Sequence, residues 1–68
     1  MGVMIIRELV GSSPESWSAA AADAVARASH TVRNIRQIEV VRHSARVDQG
    51  RIVEYLVELK LMFEYEGT

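Results

Sequence analysis

The last third of the chain limits the fold more than any other stretch. Val53, Tyr55, Val57, Leu59, Leu61, Phe63 and Tyr65 alternate with Glu54, Leu56, Glu58, Lys60, Met62, Glu64 and Glu66. Side chains that recur every second residue fall on one face of an extended strand, a register that no helix keeps. At ~3.3 Å per residue this strand would reach ~45 Å, well past the usual ~5–6 residues. Residues 35–46 read as a second long strand and 51–66 as its partner in a hairpin, with Asp48-Gln49-Gly50 as the turn.

Ahead of the hairpin, residues 14–34 carry a different period. Trp17, Ala20, Ala21, Ala24, Val25, Ala28, Val32 and then Ile35 follow the spacing of one helix face. Ser13 before Pro14 predicts an N-cap with proline at the first helical position, while Ser12 with Glu15 fits a capping box one residue earlier. Asp23 and Arg27 are spaced as an i, i+4 ion pair on the exposed side. The alanine-rich face permits close approach to a sheet, and Trp17 is the one large side chain on it, expected in the core. Residues 3–10 read as a first strand that stops at Gly11. Val3, Ile5 and Leu9 lie on one parity of it, and Met4, Ile6 and Val10 on the other. A strand apolar on both faces needs cover on both, and one helix supplies only one. The order is β-α-β-β, an α+β chain forming a single domain over residues 1–68.

Size sharpens the problem of cover. A lone domain of 68 residues is marginally stable, and small domains are usually reinforced by disulfides, a metal or oligomerisation. The sequence has no cysteine, so disulfides and thiolate zinc sites are excluded, and two histidines are too few for a histidine-rich metal site. Self-association is the remedy left. A 21-residue helix spans only ~30 Å, so the long last strand is expected to project beyond it and be covered by another copy.

Composition narrows the function classes. Eight Lys and Arg against nine Asp and Glu give a net charge of −1, which argues against a nucleic-acid partner. No apolar stretch approaches the ~18 residues of a membrane span, and Met1-Gly2-Val3-Met4 does not resemble a secretory leader, so a cytoplasmic protein is expected. Catalysis has no visible machinery. Ser12, Ser13 and Ser16 read as capping residues, no Ser or Thr has an evident His and Asp relay, and Gly11 alone falls short of a phosphate loop. A non-enzymatic protein is expected.

Among candidate site residues, Glu54, Glu58, Glu64 and Glu66 share one strand face, with Glu39 on the neighbouring strand. Carboxylates gathered about a symmetry axis can hold a hard cation such as calcium, with Glu54 and Glu58 as candidate ligands. The commoner use of such a face is a solvated surface offsetting Arg36, Arg42, Arg46, Arg51 and Lys60. His30 falls near the helix C-terminus and reads as exposed or capping. His43 has the parity of Gln37, Glu39 and Val41 and is expected to make a hydrogen bond at an interface.

Over nearly the whole chain the sequence resembles the dodecin family. The resemblance rests on Val10-Gly11-Ser12-Ser13-Pro14, Ala24-Val25-Ala26-Arg27-Ala28, Thr31-Val32-Arg33-Asn34, Glu39-Val40, and the alternating strand from Tyr55 to Phe63, taken in order and at this spacing. It implies a β-α-β-β protomer whose helix packs on a curved three-stranded antiparallel sheet. Twelve protomers would form a hollow shell, a homododecamer that holds flavins (FMN, riboflavin or FAD) in pairs between subunits for storage or quenching. In flavin-binding members a tryptophan two residues before the Glu-Val pair stacks on the flavin ring; here that position is Gln37. A glutamine early in the third strand bonds the ring edge; here that position is Leu56. Losing the stack removes ~0.5–1.5 kcal/mol, and an unpaired ring heteroatom costs about 1–3 kcal/mol, so flavin binding is expected to be weak or absent. Ser16-Trp17 and the missing strand tryptophan resemble a second branch of the family, one associated with calcium.

Overall fold

The computed structural model describes residues 2–65; Glu66 lies outside the described residues. Strand β1 runs Met4–Ser13, helix α1 Trp17–Ala28, strand β2 Ile35–Asp48 and strand β3 Arg51–Glu64. The sheet order is β1-β3-β2, antiparallel throughout, with α1 laid across β1 and β3. This is the α+β, β-α-β-β fold read from the sequence. Its central strand is the one with the longest alternation, because β3 alone must match a neighbour on each side.

The interface between helix and sheet is built from small residues. Ala20, Ala24, Val57, Leu59 and Leu61 form the buried core, flanked by Leu9, Val25, Val32, Ile35, Ile38 and Phe63. Gly11 does not end β1. It pairs with Val57 inside the ladder, and a Cβ there would sit 2.4 Å from the Ala20 carbonyl oxygen and 2.9 Å from the Ala24 Cβ. Glycine is therefore required by the closeness of the helix rather than by a turn. At the hairpin, Gln49 (φ 50°) and Gly50 (φ 77°) are both left-handed, the pair of conformations that a two-residue turn with matching strand twist needs.

The helix is shorter than expected at both ends. Pairing of β1 with β3 continues to Ser13 opposite Tyr55, so Ser12 and Ser13 belong to the strand and neither caps the helix. Ser13 is buried, and its Oγ accepts a hydrogen bond from the Glu15 amide. The N-cap is Ser16, extended in backbone, with its Oγ accepting from the Ala19 amide at 3.0 Å. After Ala28 the amides of Ser29, His30, Thr31 and Val32 turn back onto the carbonyls of Val25, Arg27 and Ala28. Val32 and Ile35 keep apolar spacing because they still pack on the core, no longer as helix. The expected Asp23–Arg27 pair is present, with Arg27 Nε donating to Asp23 Oδ2 at 2.9 Å.

Trp17 lies outside the core cluster and is 38% exposed. It tethers the start of α1 to the hairpin, with Nε1 donating to the Ser44 carbonyl at 2.8 Å and its ring edge-on to Tyr55 (4.8 Å) and His43 (5.8 Å). His43 reaches it through a bulge. Val40 pairs with Leu59 and Arg42 with Glu58, leaving Val41 unmatched and reversing the faces of the residues beyond it. Gln37 and Glu39 thus face away from the helix while His43 faces it, contrary to their shared parity in sequence.

The molecule measures 53 × 20 × 13 Å, and its 13.9 Å radius of gyration exceeds the ~11 Å of a compact chain this long. Its accessible surface of 5192 Å² is likewise larger than the ~4300 Å² expected for its size. The excess comes from large apolar side chains left bare: Val47, Ile52 and Val53 at the hairpin end, and Ile6 and Val10 on β1 facing away from the helix.

Candidate functional site

The sheet face opposite α1 carries both positions that a flavin site would use. Its register is regular. Across β1, β3 and β2, Ser12, Leu56 and Ser44 form one row, and Val10, Glu58 and Arg42 the next. Glu8, Lys60 and Glu39 form the third row, and Ile6, Met62 and Gln37 the fourth. Leu56 and Gln37 therefore share a face, but their rows are six residues apart along β3, about 20 Å. One chain cannot set both against a single planar ring.

The chemistry of the face does not fit a stacked flavin. The chain's aromatic residues are Trp17, Tyr55, Phe63 and Tyr65. Tyr55 and Phe63 pair within the helix-covered face, Trp17 is on α1, and Tyr65 follows the end of β3. Gln37 is an exposed amide with no ring, and Leu56 offers neither donor nor acceptor where a ring edge would need one.

The carboxylates are also placed plainly. Glu54 Oε1 lies 2.7 Å from Arg46 Nε, Glu58 Oε2 3.7 Å from Arg42 Nη1, and Glu64 Oε1 3.0 Å from Arg36 Nη2. Lys60 stands in register between Glu8 and Glu39. Each charge of β3 on this face has an opposite charge beside it on a neighbouring strand, a ladder of cross-strand pairs. Among the described residues, no three His, Cys, Asp or Glu side chains gather as metal ligands. Glu54 and Glu58 face the arginines of β2, so a cation held by this chain alone would have to displace them.

Beside the bulge, Glu8, Val10, Val41 and Glu58 border an open depression of about 230 Å³. His30 is exposed in the turn after α1. Sequence reasoning missed the grouping of Trp17, His43 and Tyr55 at the other end of the helix. The available signal was the adjacent pair Val40-Val41, which breaks the alternation of β2 where the bulge occurs.

Comparison with known proteins agrees with this architecture. The family model described as Dodecin matches residues 3–66. The calcium dodecin of Mycobacterium tuberculosis is 36% identical over 64 residues, covering 94% of this chain and 90% of that protein. Among solved structures, dodecin from Streptomyces coelicolor superposes with a TM-score of 0.95 at 33% identity, covering 98% of this chain and 96% of that one. A structure of the Mycobacterium tuberculosis calcium-chelating immunodominant antigen, calcium dodecin, with a novel calcium-binding site, superposes with a TM-score of 0.82 at 36% identity, covering 97% and 94%.

Proposed function

This chain belongs to the dodecin family, and from that membership we propose that it is a non-enzymatic, self-assembling protein that binds and stores a small ligand between its copies. The assembly is a homododecamer, as in the shell expected for the family, and the setting is cytoplasmic; among the described residues no helix is long and apolar enough to cross a membrane. The observation that carries the reading is the apolar surface a single chain leaves bare, with Val10 and Val47 each 65% exposed. Large apolar side chains bared at both the hairpin end and the outer face of β1 are the surface that neighbouring copies would cover. Flavin binds weakly or not at all, because no aromatic ring lies on the face that carries Gln37 and Leu56. Native mass spectrometry tests the assembly: a mass near twelve protomers is expected, and a monomer overturns the proposal. Flavin fluorescence tests the ligand, since submicromolar quenching would refute weak binding.

A second reading is favoured by the relationship to calcium dodecin. In it, copies brought together by symmetry combine carboxylates such as Glu54 and Glu58 into an oxygen-rich calcium site that no one chain holds. A rise in melting temperature with calcium and not with magnesium would support it; an equal response to both, or none, would remove it.

A further inference from the structure

The end of the molecule remote from the hairpin holds a cavity that neither reading uses. Arg7 of β1, Thr31 and Arg33 of the turn after α1, and Phe63, Glu64 and Tyr65 line about 310 Å³ of open space. Four observations set its chemistry. Among the described residues, neither Arg7 nor Arg33 has a carboxylate within ion-pair distance. The carboxylate on the wall, Glu64, is taken by Arg36, whose Nε and Nη2 donate to its Oε1 at 3.1 and 3.0 Å. The Arg7 guanidinium lies 5.7 Å from the centre of the Phe63 ring, which orients the cation without neutralising it. The nearby helix C-terminus, which would repel an anion, has the carbonyls of Val25, Arg27 and Ala28 occupied by backbone amides.

Two guanidiniums with no ion-pair partner among the described residues, lining one cavity together with Thr31, are an oxyanion-binding arrangement. Arginine presents a planar fork of donors that matches phosphate bidentately. The volume is at the lower end of small-molecule pockets, room for a phosphate or diphosphate and part of what it is attached to. We propose that this cavity binds the phosphate-type oxyanion of a small ligand, with Arg7 and Arg33 as the charged contacts. The site is distinct from the outer sheet face and stands whether or not that face binds calcium.

The test is calorimetric titration of the assembled protein with inorganic pyrophosphate, adenosine diphosphate and adenosine. Pyrophosphate and the nucleotide are expected to bind, more weakly as salt is raised, and adenosine is not; tighter binding of the nucleotide than of pyrophosphate would place its organic part in the cavity. Arg7→Gln and Arg33→Gln should each weaken binding by about tenfold or more, while Arg42→Gln on the outer face leaves it unchanged. Arg33→Lys, which keeps the charge and loses the fork, should fall between wild type and Arg33→Gln, and serves if a glutamine variant fails to assemble. Absence of binding by either phosphate compound overturns the proposal, as does an equal loss in Arg42→Gln. A drop in native mass in Arg7→Gln or Arg33→Gln without anion binding by wild type would assign the two cations to a carboxylate of another copy, which also overturns it.

Discussion

Strand β3 passes through two different environments. Beneath α1, Val57, Leu59 and Leu61 are sealed, with Leu61 at 0% exposure. At the hairpin end of the same face Val53 is about half exposed, and on the opposite face Ile52 and its partner Val47 are barer still. The residues are alike in kind; the cover differs. Twelve helical residues extend ~18 Å and fourteen strand residues ~46 Å, so most of the sheet's length has no helix over it. Alternation determines which way a side chain faces, and a second layer decides whether that face becomes a core. In this chain the second layer over the hairpin must come from elsewhere.

Substitution separates the two regions. The largest effect is expected from Leu61→Asp, which places an unpartnered carboxylate in the core and should cost about 4–5 kcal/mol, enough to abolish cooperative melting by circular dichroism. Val53→Asp should keep the strand signal and lose the assembly, seen as a fall in native mass. If Val53→Asp unfolds the chain as Leu61→Asp does, the hairpin end belongs to the protomer's own core and the contrast fails. Gly11→Ala tests the covered region from its backbone side. A methyl 2.4 Å from the Ala20 carbonyl oxygen must push the helix away, and overpacking of this kind costs about 1–3 kcal/mol, with assembly retained at a lower melting temperature. Ser16→Ala, which removes the N-cap bond to the Ala19 amide, should cost about 1 kcal/mol, and Ser12→Ala much less.

The Ser16 variant also marks where the sequence stops being legible. Element order, the pairing of the last two strands and the helix face all follow from periodicity, because periods of two and 3.6 are enforced over many residues. The cap did not follow. Ser12, Ser13 and Ser16 are equally good capping residues, and the choice is made by strand pairing that holds Ser12 and Ser13 against Leu56 and Tyr55, a contact more than forty positions away in the chain. Trp17 misled for a similar reason. Its spacing puts it on the apolar stripe, but the stripe outruns the helix-covered core, so the ring tethers the hairpin instead. His43 changed faces through one unmatched valine. Of the candidate site, the sequence places Gln37 on the second strand and Leu56 on the third; that they share a face emerges only from the pairing across the β2 bulges. Their distance along it, and the absence of any ring between them, required the three-dimensional register.

The finest test concerns the charged face, where the effect should be smallest. Glu54 lies 2.7 Å from Arg46, but both side chains retain much of their solvent contact. Pairs of this exposure contribute ~0–1 kcal/mol, because water solvates the separated charges nearly as well and ordering two long side chains opposes the gain. Glu54→Gln keeps the shape and a hydrogen-bond acceptor, so melting temperature and native mass should both stay close to wild type in calcium-free buffer. The same variant in millimolar calcium then divides the two readings of this face. If the wild type is stabilised by calcium and Glu54→Gln is not, copies of Glu54 are being drawn off Arg46 into a shared site. If wild type and variant respond alike, Glu54 serves the cross-strand ladder, and its charge matters to the neighbouring arginine alone.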